Sequence, residues 1–140
     1  MRVYLDANVL VAILNKEYPL FSSAARIASL SGTGSVQIYT SAVCLAIAFY
    51  FASKKYGNKE AKKRIALFTD HIMIAPCGME EARAAAQNKK ILDYEDGLQY
   101  YSAVNALCCC IITEDRKDFH FSDIEVLSSV DFLRKYVVAK

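Results

Sequence analysis

Val3, Tyr4 and Leu5 are β-branched, aromatic and aliphatic in turn, the composition of a short buried strand. Asp6 ends the run, and from Val9 onward the apolar residues fit a helix. A strand that gives way to a helix at an acid narrows the fold considerably. In an open parallel α/β sheet, the C-terminal ends of the strands form the ligand-binding edge. Asp6 is therefore placed as a helix N-cap, as a site residue, or as both.

The alternation continues along the chain. Tyr18-Pro19 breaks the first helix, and a second runs from Leu20 to Leu30 until Ser31-Gly32-Thr33-Gly34 stops it. Val36–Tyr39 reads as strand two. Thr40 or Ser41 caps a very apolar helix from Ala42 to Lys55, and Asn58 caps another from Lys59 to Phe68. His71–Ala75 reads as strand three, Met79–Lys89 as a helix, and Asp93 opens a helix to about Leu107. Cys108–Thr113 is strand four, Ile124–Leu127 strand five, and Val130–Val138 a last helix. Strands alternating with helices imply a parallel sheet covered on both sides. No linker, repeat or low-complexity segment interrupts the 140 residues, which read as one α/β domain spanning 1–140.

A net charge of +2 does not by itself announce a nucleic-acid partner. No apolar run approaches the ~20 residues of a membrane span, and the start does not read as a signal peptide, so no membrane is expected. The five cysteines (Cys44, Cys77, Cys108, Cys109 and Cys110) lack C-x-x-C spacing, and the triplet reads as small filler in a buried strand. Reduced thiols without a leader favour the cytoplasm.

Two segments carry the chemistry. In Asp93-Tyr94-Glu95-Asp96-Gly97-Leu98-Gln99, Asp93 fits an N-cap, Asp96 a capping-box position and Glu95 the positive end of the helix dipole. Three carboxylates in one turn still repel each other, which is more than capping requires. In Ile111-Ile112-Thr113-Glu114-Asp115-Arg116-Lys117-Asp118-Phe119 a buried strand again runs directly into acids, as at Leu5-Asp6. If both strands are central and parallel, Asp6 and Asp115 reach the same sheet edge. Asp96 joins them if its helix packs across that edge. Carboxylates that converge without basic partners raise each other's pKa. A hard divalent cation relieves the repulsion, and oxygen donors suit Mg²⁺ or Mn²⁺.

Taken in order from Arg2 to about Leu133, these motifs resemble the PIN domain, most closely its small bacterial VapC-like members. The resemblance implies a three-layer α/β/α sandwich with a five-stranded parallel sheet of order 3-2-1-4-5. It also implies a Mg²⁺- or Mn²⁺-dependent endoribonuclease that hydrolyses RNA phosphodiester bonds, often as the toxin of a toxin–antitoxin pair. The family's acids fall on Asp6, Asp96 and Asp115, with Asn8, Asp93 and Asp118 in support. Thr113 is expected to orient ligands with Asn8, and Gln99, one turn beyond Asp96, to face the site. Arg116 and Lys117 are the expected RNA contacts, better placed than the basic cluster Lys54, Lys55, Lys59, Lys62, Lys63 and Arg64, which reads as a solvated helix face.

One position departs from the pattern. The family usually has a glutamate about six residues beyond a Ser on the helix after strand two. Here Ser41 leads to Ile47, and no Asp or Glu occurs between Pro19 and Lys59. Three carboxylates still suit one hydrated Mg²⁺, although a two-metal site becomes harder to build. The other outcome is a catalytically silent module that binds RNA or protein. The unrelieved apolar run from Ala42 to Ala52 implies burial on more than one face, as in a homodimer.

Overall fold

The structure, a computed structural model, describes residues 1–138, two short of the expected domain span of 1–140. β1 (Arg2–Leu5) leads to α1 (Ala7–Asn15) and α2 (Leu20–Ser29). β2 (Gln37–Thr40) leads to α3 (Ala42–Tyr56) and α4 (Asn58–Thr69). β3 (Met73–Ile74) leads to α5 (Met79–Gln87) and α6 (Tyr94–Asn105). β4 (Cys110–Ile112) and β5 (Glu125–Leu127) precede α7 (Ser129–Leu133), and a π-helical turn follows over Arg134–Val138. Short 3-10 turns occupy Leu30–Thr33 and Arg116–Phe119.

All five strands are parallel, in the expected order β3-β2-β1-β4-β5, with helices on both faces. The central strands read as continuous apolar runs because both faces are covered. Val3, Tyr4, Leu5, Cys110, Ile111 and Ile112 are fully buried. Leu5 lies opposite Ile112, so the two acids that follow these strands leave the sheet side by side. Hydrogen bonds across the C-terminal edge hold it closed: Asp6 N–H donates to Ile112 O (3.0 Å), Thr113 N–H to Leu127 O (2.9 Å) and Thr40 Oγ1 to Leu5 O (2.9 Å). β1 and β4 are the neighbours from which the chain departs in opposite directions across the sheet, so the switch point lies between them.

Several expectations need correction. Strand three shrinks from 71–75 to Met73–Ile74, both exposed, since an edge strand pairs on one side only. The cysteine triplet is not uniform filler. Cys110 lies buried in β4 and Cys108 is buried ahead of it, but Cys109 is exposed because neighbouring side chains point to opposite sides. The first helix begins at Ala7 rather than Val9, directly after its cap. Within one chain α3 buries a single stripe (Cys44, Ala48 and Ala52, four residues apart) and leaves Tyr50 and Phe51 exposed.

Candidate active site

Asp6 is both cap and cleft residue. Its Oδ1 accepts the Ala7 N–H at 2.6 Å, and its Oδ2 accepts the Thr113 hydroxyl at 2.7 Å. Asn8, on the first turn of α1, reaches across to the loop after β4. Its Nδ2 donates to Thr113 Oγ1 (3.2 Å) and to Asp115 Oδ2 (3.1 Å). Thr113 Oγ1 also accepts the Asp115 N–H at 3.0 Å. Thr113, fully buried, thus ties the ends of β1 and β4 into one polar cluster, with Asp6 and Asp115 at its two ends.

α6 brings the third acid. Asp93 caps the helix by accepting the Asp96 N–H at 3.2 Å and is itself outside the cleft lining. Gly97 lets the helix sit close: a Cβ there would meet Ala85 Cβ at 2.9 Å and Ile91 Cγ2 at 3.2 Å. This close packing on α5 sets Asp96 and Gln99 against the end of β1.

The resulting cleft, about 210 Å³, is lined by Asp6, Asn8, Glu95, Asp96, Gln99, Asp115 and Asp118, with Val11, Ile47 and Phe51 as an apolar wall. Among the described residues no basic side chain lines it. Burial raises the Asp6 carboxyl despite its hydrogen bonds to Thr113 and Ala7, and the neighbouring Asp115 adds to the rise. Burial, then Asp93, Asp118, Asp6 and Glu95, push Asp96 up to about 7. Glu95 is raised by burial and by Asp93 and Asp6. The cleft carries more negative charge than its own side chains neutralise. Among the described residues, however, no three Asp, Glu, His or Cys groups stand close enough to hold one metal ion between them.

The sequence motifs assigned Glu95 to the helix dipole alone; its place in the cleft shows only once α6 is docked. Arg116 and Lys117 lie outside the acid cleft, in an adjoining groove of about 710 Å³ that shares Asp115 and Asp118 with it. Arg116 pairs with Asp131 at 3.5 Å. The other basic cluster is partly structural. Lys55 Nζ (2.5 Å) and Tyr56 OH (3.3 Å) donate to Asn15 O, and Arg64 donates to Leu14 O (3.2 Å), covering the open carbonyls at the end of α1.

The family model of the PIN domain matches residues 2–117. The chain belongs to the PIN domain family. It is similar to Ribonuclease VapC1 of Aquifex aeolicus (strain VF5), with 27% identity covering 96% of this chain and 95% of that protein. In fold it resembles VapBC2 of Rickettsia felis, solved bound to a DNA fragment from their promoter. The TM-score is 0.71 at 18% identity, covering 90% of this chain and 97% of that one. VapBC-1 of nontypeable Haemophilus influenzae gives 0.69 at 15% identity, covering 93% and 99% of the two chains. VapC20 of Mycobacterium tuberculosis, described as a sarcin-ricin-loop-cleaving toxin, gives 0.65 at 12% identity, covering 87% and 98%. In this PIN domain, Ile47 is on the cleft wall, so the departure noted in the sequence lies at the site itself.

Proposed function

We propose that this PIN domain is a divalent-cation-dependent endoribonuclease that acts in the cytoplasm as the toxin of a toxin–antitoxin pair. One observation carries the reading: a cleft at the sheet's switch point lined, among the described residues, by five carboxylates and no basic side chain. The donors fit Mg²⁺ or Mn²⁺, because they are hard oxygens carrying excess negative charge. Mg²⁺ commonly keeps several waters and takes only one or two carboxylates, so a loose acid set suits it. When bound, such an ion would neutralise charge building on a phosphate and lower the pKa of water, so that a nucleophile is available near neutral pH.

In this reading Asp6, Asp96 and Asp115 would hold the ion. Thr113 and Asn8 fix the carboxylates of Asp6 and Asp115 by the hydrogen bonds described, and Asp118 adds charge beside Asp96. Arg116 and Lys117 would guide an RNA backbone along the adjoining groove into the cleft. Support for RNA as substrate comes from the ribonuclease relative, and for an antitoxin from the VapBC neighbours. The exposed Tyr50 and Phe51 of α3 suit contact with an antitoxin or a second copy. The test is cleavage of an RNA pool with Mn²⁺ by wild type and Asp6→Asn, where Asn retains the cap. Wild-type cutting no faster than the variant would end the enzyme reading.

Ile47 favours a second reading, a silent PIN module that binds without cutting. Ile47→Glu would then create cleavage or tighten Mn²⁺ binding, whereas full wild-type activity excludes it.

A further inference from the structure

Gln99, on the wall of the acid cleft, carries an oxygen outside the carboxylate set. Its side chain is buried at 2% exposure, and its Oε1 is enclosed without a hydrogen-bond partner. Such an unmatched acceptor is unfavourable unless something positive or donating meets it. Gln99 stands three residues after Asp96 on α6, so the two share a helix face, and its amide N–H donates to the Asp6 carboxyl.

Two of the cleft's donors are already engaged. The Thr113 hydroxyl is given to Asp6, and the Asn8 amide nitrogen is divided between Thr113 and Asp115. The other polar side chains on the cleft wall, Glu95, Asp96 and Asp118, are carboxyl groups. The α3 wall, Ile47 and Phe51, offers no oxygen. A cation in the cleft would match this unpartnered acceptor. Among the described residues no three of the acids stand close enough to hold a cation between them, and Gln99 is a further oxygen-bearing side chain on the same wall.

We propose that Gln99 Oε1 is a direct, uncharged ligand of the divalent cation held by Asp6, Asp96 and Asp115, an inference that rests on the cation-dependent reading above. The terminal torsion of a Gln side chain is soft, so rotation about it presents Oε1 to the cleft in place of the N–H that meets Asp6, without moving the stem. An amide adds an oxygen without adding charge, which suits a cleft already rich in carboxylates.

The test is Mn²⁺ and Cd²⁺ binding to the full chain, measured by electron paramagnetic resonance for Mn²⁺ and by competition for Cd²⁺, with urea midpoints as the folding control. Gln99→Leu is expected to lose about tenfold or more in Mn²⁺ affinity with its midpoint retained. Gln99→Met, which places a thioether there, is expected to shift preference from Mn²⁺ toward softer Cd²⁺ by about tenfold. Unchanged Mn²⁺ affinity in Gln99→Leu overturns the proposal. Equal loss of both ions in Gln99→Met also overturns it, since that outcome makes Gln99 a positioning residue for Asp6. Should Gln99→Leu fail to fold, the Met variant decides alone. Wild-type protein that binds no Mn²⁺ removes the cation reading itself, and the ligand role of Gln99 with it.

Discussion

Asp96→Asn gives the most direct reading of the cleft's electrostatics. The Asp96 carboxyl is raised from 3.8 to about 7, so folding favours its protonated form. At about 1.4 kcal/mol per pKa unit, the ceiling on this effect is roughly 4 kcal/mol. The carboxyl is only half-buried, and solvent screening brings the expected value to about 1–2 kcal/mol. The sign follows from linkage. Wild-type stability from this group is intact below pH 3.8, declines as pH rises to about 7, and is lost above that. Asn is neutral throughout and shows no such decline. In urea denaturation with EDTA, the variant should match wild type near pH 4. At pH 8 it should unfold about 0.5–1 M higher, for a slope of ~2 kcal/mol per M. Saturating Mn²⁺ should then reverse the order, raising wild type by about 3 kcal/mol at a hundredfold excess over Kd and the variant far less. A gap that stays constant with pH, or Mn²⁺ raising both equally, would refute the reasoning.

Three further outcomes follow from other contacts. Glu81 is buried, and its carboxylate accepts the Gly78 N–H and the Asn105 amide, which hold it below its ordinary range. Glu81→Gln should lower stability by about 1–3 kcal/mol at pH 7, and the difference should shrink in thermal melts as pH falls below 4.5 and wild type loses the charge. Gly97→Ala drives a methyl into Ala85 and Ile91 and should destabilise by about 1–3 kcal/mol; weakened Mn²⁺ binding in titration calorimetry would show that α6 has shifted. Replacing Arg116 and Lys117 together by Ala should weaken RNA binding in filter assays and reduce its salt slope by about one to two, with Mn²⁺ affinity unchanged.

The parts of the fold visible in the sequence are those where local pattern and tertiary role coincide. β1 and β4 are buried on both faces, so their apolar runs are unbroken, and the acids after them mark the sheet edge without ambiguity. β3 was overestimated because His71–Ala75 is apolar enough for a strand, yet pairing with β2 alone orders only two residues. A residue's position in the candidate site was legible where it follows from its element's end, as for Asp6, Asn8 and Asp115. It was not legible where direction depends on how helices dock. Glu95 enters the cleft and Arg116 leaves it through the packing of α6 and the 3-10 turn, which no spacing rule contains. Nor does the string of letters reveal that Lys55 and Arg64 are occupied at the end of α1 rather than free on a helix face.

That occupation has a mechanical side. α1 is a nine-residue rod whose first turn carries the cleft and whose last carbonyls are clasped by Lys55, Tyr56 and Arg64 from the α3–α4 pair. Displacing that pair would strip the far end of the rod of its partners and leave the last carbonyls of α1 open. The helix that presents Tyr50 and Phe51 to the outside thus also closes off the end of α1 opposite Asp6.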